Sequence, residues 1–179
     1  LDLIDVEYEP LPAMFSPEEA LAPGAIRLHD TDAAGRPLPG NEVPLRTHHE
    51  TGDVAAAERA SRYVVEAEYS TARQQQACLG TAGCIAEFDA RGNLTIHAKT
   101  QIPFLAQRDF LRALQAMGVQ DRNARVIVPA LGGAFGSGLD THAYEYIAIL
   151  LAHQTGRPVK IVYDREHEFA CLSPRQSAR

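Results

Sequence analysis

"PALGGAFGSGLD", residues 129–140, sets four glycines around a single phenylalanine, Phe135. Glycine weakens helices and strands because it has the most conformational freedom to lose, so such a cluster implies that the backbone itself has a task. Before it, "ARVIVPAL" (124–131) reads as a buried strand. After it, "HAYEYIAILLAHQTG" (142–156) reads as a strongly apolar helix closed by Gly156. Strand, glycine loop and helix in succession are the parts of a layered α/β or α+β structure. A phosphate-cradling P-loop needs a lysine behind its second glycine, and this loop holds neither Lys nor Arg. A dinucleotide fingerprint needs a third glycine after Gly136-Ser137-Gly138, where Leu139, Asp140 and Thr141 follow instead. The nucleotide-binding reading of this loop therefore fails. What survives is a loop of free backbone N–H groups near a helix capped by Asp140 or Thr141, suited to an oxygen-rich cofactor or a developing anion. Spacing alone leaves a structural turn and a cofactor loop equally open, and by itself favours Phe135 as a core residue.

Working outward, "GCIAEFDARGNLTIHAKTQ" (83–101) has the alternation and central Arg91-Gly92-Asn93 turn of a β-hairpin. "PFLAQRDFLRALQAMG" (103–118) has Phe104, Leu105, Phe110, Leu111, Leu114 and Met117 at helical spacing, with Pro103 at its start and Gly118 at its stop. "PVKIVYD" (158–164) reads as a strand and "REHEFACL" (165–172) as a short helix. Upstream, residues 3–9 and 63–72 alternate like strands, and "VPLRTHHETGD" (43–53) reads as another. Ser16 with Pro17 and Asp53 mark two short helices. Residues 30–42, "DTDAAGRPLPGNE", carry loop residues and no apolar period, which makes them the expected linker. The whole reads as α+β, a mixed sheet with packed helices.

Composition narrows the function. Of 179 residues, 45% are hydrophobic and 22% charged, ordinary for a chain with a real core. Seventeen Lys+Arg against 23 Asp+Glu argue against nucleic acid as a partner, since phosphate backbones need a basic surface. The longest apolar run, "YIAILLA" (146–152), is too short to span a bilayer, and with neither a basic start nor an apolar h-region no secretory signal is expected. Cys78, Cys84 and Cys171 are odd in number and lack metal or disulfide spacing, which fits a reducing cytoplasmic setting. His48-His49 would point to opposite faces of a strand, so they are not expected to share a metal. Leu1 in place of Met, and a stop straight after an ordered-looking stretch, suggest a piece of something longer.

Several stretches, in order, resemble the molybdenum-binding subunit of the xanthine dehydrogenase/aldehyde oxidase family of molybdenum hydroxylases. "VEYEPLPAM" resembles the end of that family's hammerhead domain, and "GDVAAAERASRYVVEAEYSTARQ" the entry into its molybdopterin-binding domain. "TQIPFLAQRDFLRAL" resembles its Thr-Gln segment and helix, "VPALGGAFGSGLD" its glycine-phenylalanine loop, and "TGRPVKIVYDREHEF" its next strand and helix. The resemblance implies residues 1–29 as the end of the hammerhead-type domain, 30–45 as a linker and 46–179 as the first part of the molybdopterin-binding domain. It implies Gln101, Gly133, Ala134, Phe135 and Gly136 as cofactor-binding residues, with Phe135 and Leu139 in the substrate pocket. The cofactor would be molybdenum-molybdopterin, the cytosine dinucleotide form being one option, with 2Fe-2S and FAD on partner subunits or domains. The pterin dithiolene, not the protein, holds the metal in this family, so no residue here is assigned as a metal ligand. The implied reaction hydroxylates an electrophilic carbon with water as oxygen source, and the implied substrate is a small molecule.

Three departures bear on that implication. Leu139 stands four residues after the loop phenylalanine, where purine-oxidising members carry a substrate-binding glutamate. This favours an aldehyde or another N-heteroaromatic over a purine. Gln76 and Gly80 stand where many members have His and Glu, and the loop ends Gly-Ser-Gly rather than Gly-Gly-Lys. The family's general base is expected outside these residues, and Glu87, Glu145 and Glu168 are not assigned to that role. The fragment alone is expected to be inactive. The contrasting expectation is a non-catalytic scaffold or interaction module that retains the fold.

Overall fold

The computed structural model describes residues 4–32, 34–42, 47–119 and 122–178. They fall into two compact units, Leu1–Val65 and Glu66–Arg179. The first holds helices α1 (Pro17–Leu21) and α2 (Val54–Ala60). Both caps anticipated from sequence form: Ser16 Oγ accepts from Glu19 N at 3.1 Å and Asp53 Oδ1 from Ala56 N at 2.8 Å. Asn41 ties the unit together, its Oδ1 accepting from Leu28 N at 2.9 Å while its amide donates to Ala20 O at 3.0 Å and Ile26 O at 2.8 Å. No described residue of this unit is buried.

The strand expected over residues 3–9 does not form across its described part. Residues 4–10 are irregular and exposed, because alternation supplies a face but not the second strand that must satisfy the backbone. The strand expected over 43–53 falls partly on residues outside those described, and 47–50 are irregular. The stretch 63–72 is also irregular and exposed, touching a strand-like partner at one bridge, Thr71 to Ala178.

The second unit is a four-stranded mixed sheet in the order β3-β2-β1-β4. Its elements are β1 (Gly83–Phe88), β2 (Leu94–Ala98), α3 (Pro103–Ala116), β3 (Ala124–Ile127), α4 (Ala143–Thr155), β4 (Val159–Val162) and α5 (Arg165–Cys171). β1 and β2 make the anticipated antiparallel hairpin, in a register that sets Cys84 opposite Ala98, Ala86 opposite Ile96 and Phe88 opposite Leu94. Those positions form one face, and five of the six are buried, so the period-2 pattern does the sorting. β4 pairs antiparallel with β1, and β3 pairs parallel with β2 across the α3 crossover. α4 packs over β1 and β4, and α3 along β3.

The core joins Leu94, Ile96 and Ala86 of the sheet to Phe110 and Leu114 of α3 and to Tyr144, Ala148 and Ile149 of α4. Helical spacing had included Phe104 and Leu105 in the α3 face, but Phe104 is 83% exposed and Leu105 half-exposed. Ala106, Phe110 and Leu114, four residues apart, are the face that the sheet covers. β3 is an edge strand with only Ala124 buried, not the buried strand its composition suggested.

Strand polarity decides what meets at the end of this sheet. β2 and β3 run parallel, so the segments after each emerge at the same edge. β1 is antiparallel to β2, so its entry, at Gly83 opposite Val162, lies at that edge too, as does the exit of β4. Four connections therefore converge there: 74–82, 99–102, 128–142 and 163–171. This is where open α/β sheets usually bind ligands.

Candidate cofactor site

The glycine loop and Gln101 are joined directly. Gly136 N–H donates to Gln101 Oε1 at 2.9 Å, and Gln101 N–H donates to Gly138 O at 2.9 Å. Thr100 Oγ1, buried beside it, donates to the same Gly138 carbonyl at 3.3 Å. A backbone N–H can only donate, which fixes the side-chain amide of Gln101 with its oxygen toward Gly136 and its NH₂ away from it. That NH₂ makes no hydrogen bond among the described residues and lies at an exposed position. It is a donor held by its own oxygen.

The loop itself needs its glycines. Gly132, Gly133 and Gly136 sit at φ +67°, +94° and +99°. A Cβ on Gly132 would lie 2.8 Å from the Cα of Gly80, whose N–H donates to Gly132 O at 3.0 Å. A Cβ on Gly138 would lie 3.1 Å from Gln101 N. The 76–80 segment and the residues after β2 thus press on the loop as bare backbone. Ser137 Oγ donates to Ala134 O at 2.8 Å, and Leu139 N–H closes the turn on Gly136 O at 3.2 Å. Within the described residues the N–H groups of Gly133, Ala134 and Phe135 form no hydrogen bond.

Phe135 contradicts the spacing-based expectation of a core residue. It has φ +50° and is 78% exposed, while its neighbour Ala134 is the buried position, at 3%. Left-handed backbone costs a residue with a Cβ about 1–2 kcal/mol. Turning Phe135 into that region leaves its ring outside the core. Leu139, at 54%, is exposed as well.

Gln76 and Gly80, the two departures, both lie against the loop. Gln76 Nε2 is the atom nearest to a Cβ built on Gly136, at 3.9 Å, and Gln76 Oε1 is buried without a partner. Gln75 Oε1 is likewise buried and unpaired. A recess of about 400 Å³ lined by Pro103, Phe104, Gln107 and Val126 contains none of the loop residues.

The helix after the loop starts later than sequence suggested. Neither Asp140 nor Thr141 caps it. His142 is the N-cap, its N–H donating to Glu145 Oε2 at 2.8 Å, and its Nε2 lies 2.9 Å from Ser137 O. Glu145 is 1% exposed, and burial pushes its carboxyl up to about 7, against the opposing pull of the His142 N–H. Burial, reinforced by the Glu145 charge, pushes the nearby Cys84 thiol up to about 12, so it stays a protonated core group.

Sequence reading missed the cluster beneath the 79–80 backbone: Lys99, Arg165 and Glu168. The available signals were Lys99 immediately before Thr-Gln, and Arg165 three residues before Glu168 on a helix. Among the described residues no group of three or more His, Cys, Asp and Glu is arranged to hold a metal ion. The site offers a fixed amide donor, free backbone N–H groups and an exposed ring. Such a set suits a ligand rich in hydrogen-bonding atoms.

Residues 36–179 match the family model described as the molybdopterin cofactor-binding domain. A probable xanthine dehydrogenase subunit of Bacillus subtilis (strain 168) is 35% identical over 93% of this chain and 20% of its own length. The nicotinate dehydrogenase large molybdopterin subunit of Eubacterium barkeri is 32% identical over 98% of this chain and 38% of its own. Among solved structures, quinoline 2-oxidoreductase from Pseudomonas putida 86 superposes with a TM-score of 0.71 at 32% identity, covering 97% of this chain and 21% of that one. The chain thus spans about a fifth to two fifths of the length of these relatives.

Proposed function

The chain belongs to the molybdopterin cofactor-binding domain family, and from that premise we propose that it is part of the large subunit of a molybdenum hydroxylase. In this reading the complete enzyme oxidises an aldehyde or an N-heteroaromatic compound with water as oxygen source. Electrons pass to 2Fe-2S and FAD centres on partner subunits or domains. Residues 46–179 form the first part of the cofactor-binding domain, 30–45 a linker and 1–29 the end of the hammerhead-type domain.

The observation that carries the proposal is the clamp between Gln101 and the glycine loop, with Gln101 Oε1 committed to Gly136 N–H and its NH₂ left as a donor. When bound, the molybdenum cofactor supplies the two-electron redox chemistry. Gln101 presents a directed donor to it. Gly133, Ala134, Phe135 and Gly136 form the contacting loop, and the free N–H groups there favour electron-rich atoms. Phe135 offers a ring face or edge to a flat substrate. Glu145 and Glu168 are each 1% exposed and committed to structural bonds, which supports leaving the general base to residues outside this chain.

Substrate class follows from Leu139. A glutamate there would give a purine a charge-assisted hydrogen bond, worth about 1.5–3 kcal/mol; leucine cannot. The names of two relatives, nicotinate dehydrogenase and quinoline 2-oxidoreductase, point the same way, whereas the Bacillus relative is named for xanthine. The test is turnover by the complete protein, with its accompanying subunits and an artificial electron acceptor. An aromatic aldehyde or quinoline is expected to exceed hypoxanthine in kcat/KM by about tenfold or more. Hypoxanthine as the best substrate would overturn the assignment of substrate class.

A further inference from the structure

At the end of the sheet where the glycine loop sits, three charged side chains form a cluster. Glu168 is 1% exposed, its Oε1 lying 3.5 Å from Lys99 Nζ and its Oε2 2.5 Å from Arg165 Nη1. The Lys99 side chain is 9% exposed and that of Arg165 44%. Each cation has a second task. Lys99 Nζ donates to Gly80 O, and Arg165 Nη2 donates to Leu79 O at 3.1 Å. From the other side, Gln75 Nε2 donates to the backbone carbonyl of Glu168 at 3.2 Å.

Besides the buried Cys78, whose Sγ lies 3.9 Å from Ser137 Oγ, and the Gly80–Gly132 bond, the backbone they hold has little to keep it in place. Leu79 is 93% exposed, so its side chain contributes almost no packing, and Ala77 adopts φ +46°. Cys78 is the only buried residue between 76 and 80. Yet Gly80 must sit accurately, since its Cα is the first atom a Cβ on Gly132 would strike and its N–H bonds Gly132 O. Burying a carboxylate with two cations is costly, and well-packed apolar residues often do as well for stability alone. An apolar side chain, however, could not grip two carbonyl oxygens.

The sequence gathers these grips into one tripeptide. Lys99 reaches the loop through Gly80 and Gly132, Thr100 bonds Gly138 O, and Gln101 bonds Gly136 N and Gly138 O. We propose that Lys99 is a positioning residue: with Glu168 and Arg165 it sets the Leu79–Gly80 backbone against Gly132, and so fixes the glycine loop and Phe135. Its effect on turnover rests on the function proposed above; its mechanical effect does not.

The test is amide hydrogen exchange, read by mass spectrometry on the complete protein, in wild type, Lys99→Met and Lys99→Arg. Lys99→Met is expected to speed exchange in segments 76–82 and 131–138 by about tenfold or more, while the hairpin 83–98 keeps its protection. Lys99→Arg restores the charge and the donor and is expected to match wild type. Arg165→Met, at a more exposed position, reports the same coupling should Lys99→Met not fold. Unchanged loop exchange in the methionine variants overturns the proposal. So does exchange that rises equally in the hairpin, because that marks general destabilisation. Turnover per bound molybdenum separates the two readings. Loosened loops in a protein whose wild type binds no molybdenum uphold the role of Lys99 and sink the cofactor assignment. Loosened loops with unchanged turnover per molybdenum overturn the claim that Lys99 sets the site.

Discussion

At the scale of single residues, the site rests on two unusual placements. Gln101 spends its oxygen on Gly136 N–H, so the direction of its donor is dictated by the loop it serves. Phe135 holds a large ring outside the core on a left-handed backbone, a position that a residue selected for packing would not occupy. Because that ring is 78% exposed, Phe135→Ala removes little buried area. The thermal midpoint of the complete protein is expected to move by no more than a few degrees, roughly the effect of 1 kcal/mol or less. Turnover per bound molybdenum is expected to fall at least about tenfold, or 1.4 kcal/mol in transition-state stabilisation. Unchanged turnover with a full metal complement would remove Phe135 from the site. The identity of this residue was readable from sequence, but its exposure was not: in the run Gly133-Ala134-Phe135-Gly136 only the backbone angles decide which side chain turns inward.

At the scale of elements, ends proved more legible than partners. Ser16, Asp53, Pro103 and Gly156 each mark a helix boundary where the local chemistry demanded it. Residues 63–72 have a strand's alternation and no strand, because pairing is a long-range property that local pattern cannot supply. The cap of α4 was misplaced for a similar reason. Asp140 and Thr141 are good cap residues, but the loop's turn carries the chain past them to His142, where Glu145 completes the box.

Burial of the Glu145 carboxyl that closes this box, not the box's own hydrogen bond, makes α4 sensitive to pH. Glu145 titrates near 4.5 when unfolded and near 7 when folded, so the fold favours its neutral form. The associated stability is complete below the unfolded value and is lost as pH rises through about 7, by an amount on the order of 3 kcal/mol. Glu145→Gln keeps a capping oxygen and carries no charge. Between about pH 5 and about pH 8 the melting temperature of wild type is expected to fall relative to that of the variant. Parallel curves for the two proteins would show that Glu145 is not the titrating group.

At the scale of the whole molecule, the sheet explains why distant residues meet. The hairpin and the two flanking strands could be read locally. The parallel pairing of β3 with β2, which brings the Gln101 segment and the glycine loop to one edge, could not. The same polarity brings in Gln76 and Gly80 ahead of β1 and Glu168 after β4, and Gln75 bonds Glu168 across 93 residues of chain. The match to the molybdopterin cofactor-binding domain over 36–179 spans all four connections of this edge, not one motif alone. The central claim is that this edge takes a molybdenum cofactor. It is tested most directly by metal and pterin analysis of the complete protein, produced with molybdate and its maturation partners present. One molybdenum and one pterin per chain is the predicted result. A correctly folded protein that carries neither would contradict the claim and mark the chain as a scaffold that keeps the fold without the chemistry.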